Sequence, residues 1–142
     1  MHVKLILKNK GATVETIRPD VLIADVVDTL KAKRIGVLVV SQTGDDIAGI
    51  VSERDIVNGL AEQGASLLDQ PVDTIMTRQV KTCSPDDTVT FVMEMMTDRR
   101  IRHIPVLRDG ALAGIVSIGD AVKFRLQELE SEATHLREYI SN

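Results

Sequence analysis

Two copies of one tetrad, Ser52-Glu53-Arg54-Asp55 and Ser117-Ile118-Gly119-Asp120, carry the side chains of this chain best suited to hold a ligand. Each closes a short apolar run, in the near-identical stretches GIVSERD at 49–55 and GIVSIGD at 114–120. A Ser-x-x-Asp between a strand and a helix has two chemistries open to it. As a capping box, the serine oxygen accepts from the amide three residues on, and the carboxylate reaches back to the serine amide. As a ligand site, the serine hydroxyl donates to a phosphate oxygen at a helix N-terminus, where unbonded N–H groups and the dipole favour an anion. The carboxylate then accepts from ribose hydroxyls. The box prefers Glu or Gln at its last position, and both copies carry the shorter Asp.

Other chemistries find little to work with. Cys83 is the only cysteine, which excludes an internal disulfide and a Cys-x-x-Cys pair; between Thr82 and Ser84 it reads as a small, half-buried residue. His2, His103 and His135 stand apart without i, i+4 partners, so no metal site is expected. No Walker A loop, Gly-x-Gly-x-x-Gly or nucleophile elbow is present, so the chain is not expected to be an enzyme.

The net charge of -4, a pI near 5.3 and interspersed charges give no attraction for nucleic acid. With only Phe91, Phe124 and Tyr139 aromatic, stacking platforms for single strands are missing too. No apolar run approaches the roughly 18 residues of a membrane span, and Leu5-Ile6-Leu7 is too short for a signal-peptide core. A soluble cytoplasmic protein without membrane contacts is the expectation.

The elements that must position the tetrads come from a duplication. Residues 14–40 align without gaps with residues 80–106, placing Pro19 on Pro85, Asp20 on Asp86, Arg34 on Arg100 and Ile35 on Ile101. One extra residue in the turn QTGDD, against RDG, precedes the repeated tetrad stretch. The leading segments correspond loosely as well, VKLIL from Val3 with VDTIM from Val72, both with apolar residues at i, i+3 and i+4.

Each repeat reads as short strand, helix, two strands, helix. Val14 to Ile17 alternates as a strand, Pro19-Asp20 marks a helix start, and Leu22, Ile23, Val26, Val27 and Leu30 form a helical stripe ending in Lys31, Lys33 and Arg34. GVLVV from Gly36 is a strand buried on both faces, and Thr43 to Asp46 turns it back into Ile47 to Val51. Ser52 opens the next helix with Ile56, Val57 and Leu60 facing inward and Gly64 just past its end.

Met93, Met95 and Met96 read as core in the matching helix of the second repeat. Residues 65–78 form an ordered connector, since a loose linker has no need of Leu67, Leu68, Val72, Ile75 and Met76. Beyond Asp120, the apolar positions Val122, Leu126, Leu129, Ala133, Leu136 and Ile140 make a heptad seam. The expected parts are a first repeat at 1–64, the connector, a second repeat at 79–130 and a helical extension at 131–142.

The doubled Gly-Ile-Val-Ser-x-x-Asp, the Pro-Asp after each first strand, RHIPV at 102–106 and VDTIMT in the connector together resemble the CBS domain, in the tandem pair called a Bateman module. The resemblance implies an α/β (α+β) fold of two intertwined β-α-β-β-α repeats about a pseudo-two-fold axis, with two clefts. In the family these clefts often bind AMP, ADP or ATP, and sometimes NAD-type dinucleotides or S-adenosylmethionine. They regulate rather than react.

The resemblance also distributes the site residues. Cleft A would join Ser52, Arg54 and Asp55 to Lys81, Thr82, Arg102, His103, Ile104 and Pro105. Cleft B would join Ser117 and Asp120 to Thr16, Ile17, Val37, Leu38 and Val39. Arg54 and its neighbours make A the better phosphate site, since Gly119 replaces Arg54 and Val37 replaces His103 in B. The expected function is a stand-alone sensor binding an adenosine nucleotide, with no metal required, that reports to an unidentified regulated protein. A homodimer is expected from the seam and from the family's helix-paired disks. The alternative is a structural dimerisation module without a ligand.

Overall fold

The computed structural model describes residues 1–141 and has an α+β fold. Its elements are α1 (Val3–Lys10), β1 (Thr16–Ile17), α2 (Ile23–Lys33), β2 (Val37–Val40), β3 (Gly49–Ser52), α3 (Glu53–Gln63), α4 (Val89–Arg99), β4 (His103–Arg108), β5 (Ala111–Ser117) and α5 (Ile118–Ser141). They form two compact units, one of residues 13–81 with 109–113, the other of 1–12, 82–108 and 114–141.

In the unit built on the first repeat, β1 runs parallel to β2, and β2 pairs antiparallel with β3. Three β-branched or leucine side chains of β2, Leu38, Val39 and Val40, are buried, as an apolar strand covered on both faces should be. The turn between β2 and β3 is organised by Asp46, which accepts from Ser41 Oγ at 2.7 Å and from Thr43 N and Oγ1 at 2.8 and 2.9 Å. The Ser41 hydroxyl, then the Thr43 amide, hold this carboxyl well below the usual carboxylate range. The connector is ordered, as two short 3-10 turns at Gly64–Asp69 and Val72–Thr74 whose Leu67 and Val72 are fully buried.

Several details differ from the sequence reading. The Pro-Asp pairs do not begin helices; they sit in turns closed by Val21 N to Arg18 O and Asp87 N to Ser84 O, and α2 starts only at Ile23. On α3 the inward stripe is Ile56 and Gly59, with Val57 63% and Leu60 37% exposed. Leu67 explains the rotation: a Cβ at Gly59 would stand 2.7 Å from its Cδ2, so the connector's leucine occupies the space a larger inward residue would need. The strand expected at the start of the second repeat shrinks to one bridge, Cys83 to Val106. Pro105 stands where β2 has Val39 and has no N–H to extend that ladder.

In the other unit, α1 packs with α4, β4, β5 and α5 around Val3, Ile6, Leu7, Val92, Met96, Ile104, Val116 and Phe124. Met93 and Met95 pack against that core. Cys83 is buried rather than half-buried. Burial, with the Asp87 charge beside it, pushes its thiol up to about 12.

The two units repeat one docking scheme internally. Val3 N and Lys4 N donate to Asp87 O and Pro85 O, while Val72 N and Asp73 N donate to Val21 O and Pro19 O. A Cβ at Gly114 would meet Leu7 Cδ2 at 2.4 Å, and one at Gly49 would meet Met76 Sδ at 2.6 Å. These glycines exist so that a leading segment can lie against the tetrad strand.

Past residue 130, α5 continues unbroken, and its seam residues Leu126, Leu136 and Ile140 are 55%, 62% and 80% exposed.

Candidate functional site

Both tetrads sit where an apolar strand hands over to a helix. Strand β3 ends at Ser52 and α3 begins at Glu53; β5 ends at Ser117 and α5 begins at Ile118. The handover is fixed by one equivalent bond in each unit, Glu53 N to Gly36 O at 3.0 Å and Ile118 N to Arg102 O at 2.8 Å. Ser52 keeps the extended φ and ψ of the strand while serving as the helix N-cap, which sets its side chain against the first amides of the helix.

The capping box forms in both copies, with Asp at its last position. Ser52 N donates to Asp55 Oδ2 at 2.8 Å and Asp55 N donates to Ser52 Oγ at 3.3 Å. Ser117 N donates to Asp120 Oδ2 at 2.9 Å and Asp120 N donates to Ser117 Oγ at 3.1 Å. The shorter side chain thus suffices. Each box contributes about 1 kcal/mol to its helix start. The carboxylate bonds converge on Oδ2, leaving Oδ1 outside the box in both.

Within the first-repeat unit, β2 and β3 set Val37 opposite Ser52 and Leu38 opposite Val51, and β1 sets Thr16 beside Val39 and Ile17 beside Val40. So Ser52, Arg54 and Asp55 share a unit with Thr16, Ile17, Val37, Leu38, Val39 and Lys81. The other unit gathers Ser117 and Asp120 with Thr82, Arg102, His103, Ile104 and Pro105. Each unit therefore holds the tetrad of one expected cleft and most of the wall of the other. Arg54, Lys81 and Arg102 are exposed, whereas Ile104 and Pro105 are buried.

The tetrads differ in one partner that sequence reading did not single out. Lys10, the last residue of α1, donates from Nζ to Asp120 Oδ2 at 2.6 Å and to Ile115 O at 3.0 Å. Burial pushes the Asp120 carboxyl up, but the Lys10 ammonium and the Ser117 amide and hydroxyl outweigh it and leave it below its ordinary value. In the first-repeat unit, the counterpart carbonyl, Ile50 O, accepts instead from the main-chain amide of Thr77 at 2.8 Å.

A separate open cavity of about 590 Å³ lies between α2 and α3, walled by Val27, Leu30, Ile35, Ile56 and Val57 with Lys31, Arg34 and Glu53 at its margin. It includes neither tetrad serine nor aspartate. No group of three or more His, Cys, Asp or Glu among the described residues could hold a metal ion. No helix among them is long and apolar enough to cross a membrane.

Comparison with known proteins bears on these two tetrads. The CBS domain family model matches the chain twice, over residues 12–62 and 72–127. The CBS domain-containing protein CBSX3, mitochondrial, of Arabidopsis thaliana is 36% identical over 143 residues, covering 95% of this chain and 69% of that protein. The crystal structure of the CBS-domain containing protein ATU1752 from Agrobacterium tumefaciens is 46% identical with a TM-score of 0.85, covering 88% of this chain and 99% of that one. The CBS domain protein PAE2072 from Pyrobaculum aerophilum, solved complexed with AMP, is 26% identical with a TM-score of 0.74, covering 84% and 89%.

Proposed function

The chain belongs to the CBS domain family, and on that premise we propose that it is a regulatory module that binds an adenosine nucleotide at Ser52-Arg54-Asp55 and signals occupancy to a partner protein. The supporting observation is the tetrad geometry: a helix N-terminus with the serine oxygen at its mouth and a carboxylate whose Oδ1 stays outside the capping box. The phosphate would lie on the α3 N-terminus with Arg54 as its cation, and the ribose would bond Asp55.

AMP, ADP, ATP and NAD-type ligands all present this adenosine-phosphate chemistry, and the AMP complex of the Pyrobaculum relative favours the first. The second tetrad, Ser117 with Asp120, is the weaker site in this reading. Its mechanism is linkage rather than catalysis. A ligand with different affinities for two arrangements of the repeats shifts their populations, and the partner reads the shift.

Self-association into a homodimer is part of the proposal, supported by the exposed α5 seam and by exposed Val57 at the α2–α3 cavity. So is a cytoplasmic setting, where adenosine nucleotides abound. A purely structural dimerisation module would share that surface but ignore nucleotides. Thermal melting against AMP, ADP, ATP, NAD and S-adenosylmethionine separates the two. A ligand at a hundred times its Kd adds about 2.7 kcal/mol to stability, whereas a scaffold melts at one temperature throughout the panel.

A further inference from the structure

We propose that Lys10 is a selectivity residue that disfavours ribose at the second tetrad, so that adenosine nucleotide goes first to Ser52-Asp55. This rests on the nucleotide reading above and adds a determinant to it. Its basis is an asymmetry between two otherwise equivalent helix starts. Within its unit, Asp55 bonds only Ser52. Asp120 bonds Ser117 and also carries the Lys10 ammonium at 2.6 Å. The neighbouring Ile115 carbonyl takes a second bond from the same nitrogen.

The lysine is held in place by packing, not left to chance on a loose tail. Val3, Ile6 and Leu7 of α1 are buried in the unit core, and Leu7 lies in the space left by the missing side chain of Gly114. Lys10 follows one turn after Leu7 and reaches the end of β5 from a fixed helix. It also occupies a role that backbone fills elsewhere. Ile50 O, the counterpart of Ile115 O, is paired with the Thr77 amide, so the first-repeat unit has no need of a lysine at that point.

A ribose at Asp120 would have to take hydrogen bonds from a carboxylate already joined to an ammonium. Displacing a charge-assisted bond whose side chains are 35% and 24% exposed weakens a competing diol by up to about fivefold. The same displacement also strands Lys10 Nζ beside the Ile115 carbonyl. Asp55 presents no such competitor from its own unit.

The test is isothermal titration calorimetry with AMP on the full chain, comparing wild type, K10Q, K10R, D55A and the K10Q/D55A double variant. The expected result is a second AMP site that tightens up to about fivefold from wild type and K10R to K10Q, with the same shift between D55A and the double variant, in which only that site remains. Circular dichroism establishes that each variant is folded. Should K10Q prove unstable, K10M, which keeps the aliphatic stem, replaces it. A second-site Kd that is equal in wild type and K10Q, or in D55A and the double variant, overturns the role of Lys10 while leaving the nucleotide reading intact. A wild-type chain that takes up no AMP overturns the nucleotide reading itself.

Discussion

Replacing Gly114 with alanine tests whether the tetrad strand and α1 fit as tightly as their contacts require. The new methyl would stand 2.4 Å from Leu7 Cδ2 and 3.2 Å from Cδ1, where non-bonded carbons prefer about 3.5–4.0 Å. Leu7 is only 6% exposed and sits among Val3, Ile6 and Val116, so it must move against packed neighbours. Overpacking of this kind destabilises by about 1–3 kcal/mol, and the reduced freedom of the unfolded alanine chain returns about 0.4–1 kcal/mol. A net loss of about 1–2 kcal/mol corresponds to a fall in Tm of about 3–6 °C for a chain of this size. Urea unfolding of wild type, G114A, L7A and the double variant measures it. L7A alone should lose about 2–5 kcal/mol, and the double variant should lose at least about 1 kcal/mol less than the sum of the singles. Additive losses, or a G114A as stable as wild type, would show that helix and strand do not interlock there.

Two further outcomes follow from the titrating groups. Because Asp120 has a folded pKa below its ordinary value of 3.8, the Lys10 pair stabilises the fold fully above the usual carboxylate range and loses that contribution as pH falls through the depressed value. The urea midpoints of wild type and K10Q should therefore differ by a constant amount, worth under about 1 kcal/mol for so exposed a pair, at neutral pH, and converge in strong acid. A gap that widens on acidification contradicts the pairing. Cys83, with its thiol raised to about 12, should react with a thiol-specific disulfide reagent only on unfolding. Rapid labelling of the native protein at pH 7 would contradict its burial.

Patterns that depend on local chemistry were legible in the sequence. The doubled tetrads, the α2 stripe, the buried β2 strand, the Asp46 turn and the ordered connector all follow from spacing and residue type, because each is decided by neighbours in the chain. What escaped was decided by distant ones. Val57 and Leu60 belong to an inward stripe by period alone, yet Leu67, from the connector, takes the space at Gly59 and turns them outward. The second repeat's first strand is curtailed by Pro105, a residue of a different strand. Lys10 offered no signal beside Asn9 and Gly11, since its meaning arises only when α1 packs on Gly114 and brings it to Asp120. The tetrads themselves were legible as a choice between two chemistries, of which the structure shows the capping box, formed through Oδ2 in both copies.

The central claim is that Ser52 and Asp55 hold an adenosine nucleotide. Its most direct measurement is calorimetric titration of AMP into wild type and D55A, both verified as folded because D55A also forfeits about 1 kcal/mol of capping. The account predicts saturable binding by wild type and loss of the tighter site in D55A, leaving binding weaker by about fivefold or more. Equal Kd values for the two proteins, or no heat with either, would contradict it.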